Sequence, residues 1–464
     1  MTQAPPALVE IEYWVDTAAR LQRLSARPWF VFLDSCRNGG GGGRYDIAAW
    51  EPAATLTTRG AVTYIERDGW TDESAADPFA LVGAELGREA AHSSLPFTGG
   101  AIGLFAYDLA RRIERLPARA RRDIDFPDMA VGLYRRCLVV DHHTRRAWYV
   151  HRGQGAEVVA ADCALLAVPR TLTPATFSTD FVVTAAVRAE LGFDAYAAAF
   201  ARIKRYIRDG DCYQVNYAQR FSAAASGDPW DAYQRLRLLN SAPHAAFLRL
   251  PQGAVLSSSP ERFVELRGDV VETRPIKGTR RRDADPVRDR ALAEALAGSS
   301  KDRAENVMIV DLLRNDLGKT CVVGSVTVPH LFDIESFSRV HHLVSTVRGR
   351  LRAELGPLDV LRACFPGGSI TGAPKRRAME IIEELEPTRR SVYCGALGYV
   401  SYDGQMDTNI AIRTLLHVGG RLYCWAGGGI VMDSVLEDEY QESLDKAAAM
   451  LNVFSDAEVQ YVGR

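Results

Sequence analysis

Strands and helices are predicted along this chain without the one-strand, one-helix alternation of a βαβ protein, and that feature narrows the fold most. In "DAYAAAFARIKRYIRDG" (194–210), Tyr196, Phe200, Ile203 and Ile207 recur at helical spacing and Gly210 supplies a stop. "CYQVNYAQRF" (212–221) then alternates, with Tyr213, Val215, Tyr217 and Phe221 on one face, which predicts a strand. Further helices are predicted over 302–317, 373–386 and 437–453, and strands over 254–258, 262–266, 394–402, 409–416 and 421–426. This irregular order points to an α+β fold with a largely antiparallel sheet.

The 464 residues suffice for one large or two ordinary domains. A Pro/Thr-rich stretch, "VPRTLTPATFSTDF" (168–181), reads as a connection and divides an N-terminal region, 1–180, from the remainder, 181–464. The glycine run in "NGGGGGRYD" (38–46) reads as a mobile loop. Lys+Arg 56 against Asp+Glu 58 gives a charge of -2, which argues against a nucleic-acid partner. Nor are aromatic residues interleaved with the cations as a stacking platform requires. The N-terminus lacks a basic segment followed by an apolar one, and no apolar run nears the ~18 residues of a membrane helix. Eight scattered cysteines form no C-x-x-C pair, so the expectation is a soluble protein of the reducing cytoplasm.

Several clusters carry chemistry. Asp302 and Glu305 are three apart at a predicted helix start, and so are Glu439 and Glu442. Such pairs share a helix face. They read either as solvated acidic faces near helix N-termini or, if the two starts converge, as hard oxygen ligands for Mg²⁺. "WAGGGIVMDS" (425–434) sets Gly427, Gly428 and Gly429 after a predicted strand, either as a tight turn or as backbone N–H groups open to an anion. "SITGAPKRRAMEII" (369–382) opens a helix with Lys375 and two arginines in its first turn, which an anionic partner would favour. Arg413, among apolar neighbours in "NIAIRTLL", calls for a buried counter-ion. Lys277 in "RPIKGTRRR" (274–282) reads, from that stretch alone, as a surface cation. It becomes a nucleophile only if burial and neighbours such as Arg274 and Arg280 favour its neutral amine.

In order along the chain stand "GDCYQVNYAQRF", "SSSPERFVEL", "RPIKGTRRR", "AENVMIVDLLRNDLGK", "VHHLVSTVRG", "GGSITGAPKRRAMEIIEE", "GALGYVSYDGQMDTNIAIRT" and "AGGGIVMDSVLEDEYQESLDKA". Together they resemble the chorismate-utilising enzymes, whose members make anthranilate, 4-amino-4-deoxychorismate, isochorismate or salicylate. The resemblance is dense over 194–453 and continues more weakly toward the N-terminus. It implies two stacked, largely antiparallel sheets flanked by helices, with N- and C-terminal halves interleaved. Lys277 separates the branches, because anthranilate-forming members carry alanine there. The resemblance therefore implies amination of chorismate at C4 through a covalent lysine intermediate, toward 4-aminobenzoate and folate. Anthranilate or isochorismate chemistry is the alternative.

The same resemblance implies a catalytic role for Glu261 as a proton donor or acceptor and places His342 near the ring. It puts Gly278, Thr279, Ser369, Tyr399, Arg413, Gly427, Gly428, Gly429 and Lys446 at the substrate. Glu305 and Glu442 become Mg²⁺ ligands supported by Asp302 and Glu439. Some members bind tryptophan in the N-terminal half. The matching positions are Ser35, Arg44, Tyr45, Asp46, Pro243, His244 and Ala245, but the glycine run and "PHA" depart from the usual pattern and leave that binding open. No nucleophilic cysteine on a sharp G-x-C-x-G turn is visible, and "RACFPGG" around Cys364 lacks the form. Ammonia is thus expected from a separate glutamine amidotransferase subunit.

Overall fold

The computed structural model describes residues 5–36, 43–87, 93–167, 181–337 and 340–452. The predicted connection at 168–180 and glycines 39–42 of the glycine run lie outside these residues. Two large sheets dominate, one of 13 strands and one of 12, and their ladders are antiparallel. In the first, Phe30–Asp34 pairs with His244–Leu250, which leads through Gly253–Ser259 and Thr414–Val418 to Arg421–Ile430 and Gln214–Ser226. In the second, Gly100–Phe105 pairs with Ala396–Ser401. Both sheets therefore take strands from both sides of residue 180, and no ladder boundary falls there.

The predicted helices form at Phe193–Arg208, Ser300–Gly318, Lys375–Leu385 and Leu436–Leu451. Ser299 caps the second of them by accepting from the Asp302 N–H. The helix Phe193–Arg208 buries Tyr196, Phe200 and Ile203 against Val215, Tyr217, Ile381 and Ile430. A larger core of Phe, Leu, Ile and Val side chains fills the space between the sheets. Among the described residues no helix is long and apolar enough to cross a membrane.

Two sequence expectations need correction. The strand predicted over 409–416 is really two, Met406–Ile410 in the second sheet and Thr414–Val418 in the first. The chain crosses between sheets at Ala411–Arg413, and Arg413 takes a left-handed backbone (φ 50°) to do so. Tyr213 does not share the inward face of its strand; it precedes Gln214–Ser226 and is 72% exposed.

Candidate active site

Lys277 lies on Ile276–Arg281, a strand that pairs with Val340–Arg350 at the sheet edge. Their register slips between Ile276↔Val344 and Thr279↔His342, leaving Lys277 and Gly278 as a bulge. A bulge re-aims side chains and strengthens local twist. Gly278 sits at φ 83°, and a Cβ there would come within 2.8 Å of Leu296 Cδ1 and 2.9 Å of Asp302 Cγ. Only glycine meets both demands.

The Lys277 ammonium faces carboxylates rather than cations. Its Nζ approaches the Ser369 carbonyl at 3.4 Å, and it acts electrostatically on both Glu261 and Glu305. Arg274 pairs with Glu335, and Arg280 binds Asp302 at 3.0 Å, so the charge of each is met by a carboxylate. Among the described residues Lys277 has no carboxylate within ion-pair distance, so its amine is held but not neutralised by a salt bridge.

Glu261 is the most perturbed acid here. It is buried, and its Oε1 accepts from Ser369 Oγ at 2.8 Å. Burial raises its pKa from an ordinary 4.5 to about 7, against the opposing pull of Lys277 and the Ser369 hydroxyl. Between those two pH values the folded chain keeps a proton that the unfolded chain has released. Burial of this group therefore costs nothing below the window and costs about 3 kcal/mol of stability above it. Glu261→Gln is expected to raise the melting temperature at about pH 8 and leave it nearly unchanged at about pH 4.5. An equal gain at both would refute burial as the cause.

His342 Nδ1 shares a 2.9 Å hydrogen bond with Thr279 Oγ1. Burial, with Arg413 and His341 nearby, lowers its pKa to about 4, so the ring is neutral at pH 7. Arg413 itself has no ion-pair partner among the described residues, and burial lowers its proton affinity. Glu442 acts on it electrostatically without forming an ion pair, which fits a guanidinium available to a substrate carboxylate.

The three glycines are neither a turn nor an open anion loop. Gly427, Gly428 and Gly429 pair with Ala218, Tyr217 and Asn216 inside the strand Arg421–Ile430. Glycine is needed for space: a Cβ at Gly428 would lie 2.8 Å from Glu439 Oε2 and 3.6 Å from Glu442 Oε1. Lys446 donates to the Gly427 carbonyl at 2.8 Å and pairs with Glu442 at 2.5 Å, so it ties the last helix to that strand. Lys375 is likewise consumed inside the fold, by Asp316 at 2.6 Å and the Cys364 carbonyl at 2.7 Å.

Glu305, Glu439 and Glu442 converge from two helices. The pKa values of Glu305 and Glu439 are raised by burial first, and Glu442 adds to both. Crowded, half-desolvated carboxylates of this kind fit a divalent cation that relieves their repulsion. Asp302 pairs with Arg280 at 3.0 Å and also raises the Glu305 pKa through its charge. No three His, Cys, Asp or Glu groups among the described residues are set to enclose an ion by themselves.

Tyr399 is not brought to this site. It lines a separate cavity of about 260 Å³ with Ser35, Arg44, Tyr45, Pro243 and His244. There its hydroxyl accepts from Arg267 at 3.3 Å. Asp46 and Ala245 do not line the cavity. Asp46 accepts from the Ser35 hydroxyl at 2.7 Å and meets His142 Nε2 at 2.7 Å. Sequence reasoning missed two residues at the active site. Tyr393, beside Arg413, stacks on Trp425 with rings 7° apart. Gln214 is 1% exposed over Gly429, and both its amide atoms lack partners. The signal for Gln214 was its place in a strand facing glycines; Tyr393 gave none.

The chain belongs to the chorismate-binding enzyme family, whose model matches residues 30–452. Its fold is that of the chorismate-utilising enzymes. It is 33% identical to the crystal structure of anthranilate synthase component I from Streptococcus pneumoniae TIGR4, with a TM-score of 0.78 over 89% of this chain and 93% of that one. Among named relatives it is similar to aminodeoxychorismate synthase component 1 of Klebsiella aerogenes, 49% identical over 96% of this chain and 98% of that protein. The same protein of Escherichia coli (strain K12) is 47% identical over 97% and 99%.

Proposed function

We propose that this enzyme aminates chorismate at C4, giving 4-amino-4-deoxychorismate for 4-aminobenzoate and folate synthesis. The observation that carries the reading is Lys277, bulged from a sheet edge between Glu261 and Glu305 with no salt bridge of its own. The Lys277 ammonium passes a proton to Glu261, its neutral amine attacks C2, the ring double bond shifts, and the C4–O bond breaks. Glu261, titrating near neutrality, gives the departing hydroxyl its proton. Ammonia adds at C4, the C2–Nζ bond breaks, and the lysine is regenerated. Arg413 holds a substrate carboxylate. Glu305 and Glu442, supported by Glu439, would hold Mg²⁺, which would supply positive charge to neutralise the ring carboxylate. Ammonia comes from a glutamine amidotransferase subunit, a reading supported by relatives named as a first component.

The test is product identity. Purified protein with chorismate, Mg²⁺ and ammonium should yield 4-amino-4-deoxychorismate, converted to 4-aminobenzoate by an added lyase. Anthranilate with pyruvate, or isochorismate, would overturn the reading.

We also propose tryptophan as the occupant of the 260 Å³ cavity, where Tyr45 and Tyr399 would flank its indole. L-tryptophan at about 100 times its dissociation constant should then stabilise the fold by about 2.7 kcal/mol, read as a higher melting temperature. No shift at millimolar tryptophan would refute this.

A further inference from the structure

The turn joining strand Arg421–Ile430 to helix Leu436–Leu451 directs three backbone carbonyls at one ammonium. Lys204 Nζ, on helix Phe193–Arg208, donates to Ser434 O at 2.9 Å, to Val431 O at 3.4 Å and to Met432 O. A lysine has three N–H donors, and here all are spent on one turn. The ammonium also sits over the Phe200 ring, 5.5 Å from its centroid. Holding a long side chain in one rotamer costs entropy, so the contacts fix the turn as well as the lysine.

The turn in turn holds a carboxylate. Ser434 Oγ accepts from the Val431 N–H at 3.1 Å and donates to Glu439 Oε1 at 2.7 Å. The other oxygen of Glu439 lies over Gly428, beside Glu442 Oε1. A continuous set of hydrogen bonds therefore runs from Lys204 through the turn to Glu439, which neighbours Glu442. The carbonyls and the carboxylates carry like partial charge, and the ammonium offsets that crowding where the helix begins.

We infer that Lys204 is a positioning residue that holds Glu439 in the orientation its acid cluster needs to bind the divalent cation. This rests on the reading of those acids as the metal side of the site. It acts through the turn and touches neither substrate nor metal. A mere tie between helix and strand would affect stability alone.

Mn²⁺ binding, followed by electron paramagnetic resonance on the full chain without substrate, separates the two. Lys204→Met should weaken Mn²⁺ binding about tenfold, the scale of a lost supporting contact behind a metal ligand. Lys204→Arg, which keeps a cation, should restore most of it. Ser434→Ala cuts the same route next to Glu439 and should weaken binding similarly even if Lys204→Met folds poorly. Glu442→Gln is the control. If the parent binds no Mn²⁺, or Glu442→Gln binds as the parent does, the metal reading falls and takes this inference with it. If Glu442→Gln loses binding while Lys204→Met and Ser434→Ala keep it, the positioning role alone is overturned, even if melting temperatures drop.

Discussion

Lys277→Ala is expected to lower formation of 4-amino-4-deoxychorismate by roughly 10³-fold or more, the scale of a lost covalent nucleophile. The fold should survive. Lys277 contributes one long 3.4 Å contact to the Ser369 carbonyl and no salt bridge, and the bulge belongs to the backbone and Gly278. Removing its charge even takes an attractive partner from Glu261 and Glu305 without opening a packed core. The loss should therefore appear in the rate constant, with circular dichroism and melting unchanged. Lys277→Arg should be nearly as inactive, because a guanidinium keeps the charge but is not a nucleophile at neutral pH. A Lys277→Ala variant that forms the product at the parent's rate would refute the covalent step.

Glu442→Gln is expected to lower activity at limiting Mg²⁺ by about 10²-fold and to shift the metal requirement upward, with Glu305→Gln behaving alike. The ion pair of Glu442 with Lys446 gives the competing structural account. The Glu442 side chain is 50% exposed, so that pair stabilises little. Removing the charge also relieves repulsion on Glu305 and Glu439. Stability should accordingly hold while metal-dependent activity falls. Both Glu305→Gln and Glu442→Gln retaining parental activity at low Mg²⁺ would remove these carboxylates from the metal site.

Much of this was legible in the residues. Helical spacing in 194–210 and alternation in 212–221 gave the two elements that pack together, since both signals are local. The chorismate-utilising fold followed from ordered motifs. What local pattern could not carry was long-range placement. The glycines of "WAGGG" look like a turn until a strand and a helix are seen to occupy the space of their Cβ atoms. Tyr399 lies on Ala396–Ser401, two strands from Arg262–Arg267, and it faces a different cavity from Lys277 and Glu261. Arg274, Arg280 and Lys375 look alike in sequence, and only their distant partners Glu335, Asp302 and Asp316 show that each is already engaged.

The sharing of both sheets across residue 180 bears on how the protein is made. Gly100–Phe105 waits for Ala396–Ser401, and Phe30–Asp34 waits for His244–Leu250. During synthesis the first strands to leave the ribosome have no neighbours on one side for most of the time it takes to translate the rest. Non-local pairing of this kind folds slowly and leaves strand edges open to foreign partners meanwhile. Emergence of the strands up to Arg421–Ile430, rather than of the N-terminal part, is therefore the event that lets either sheet close.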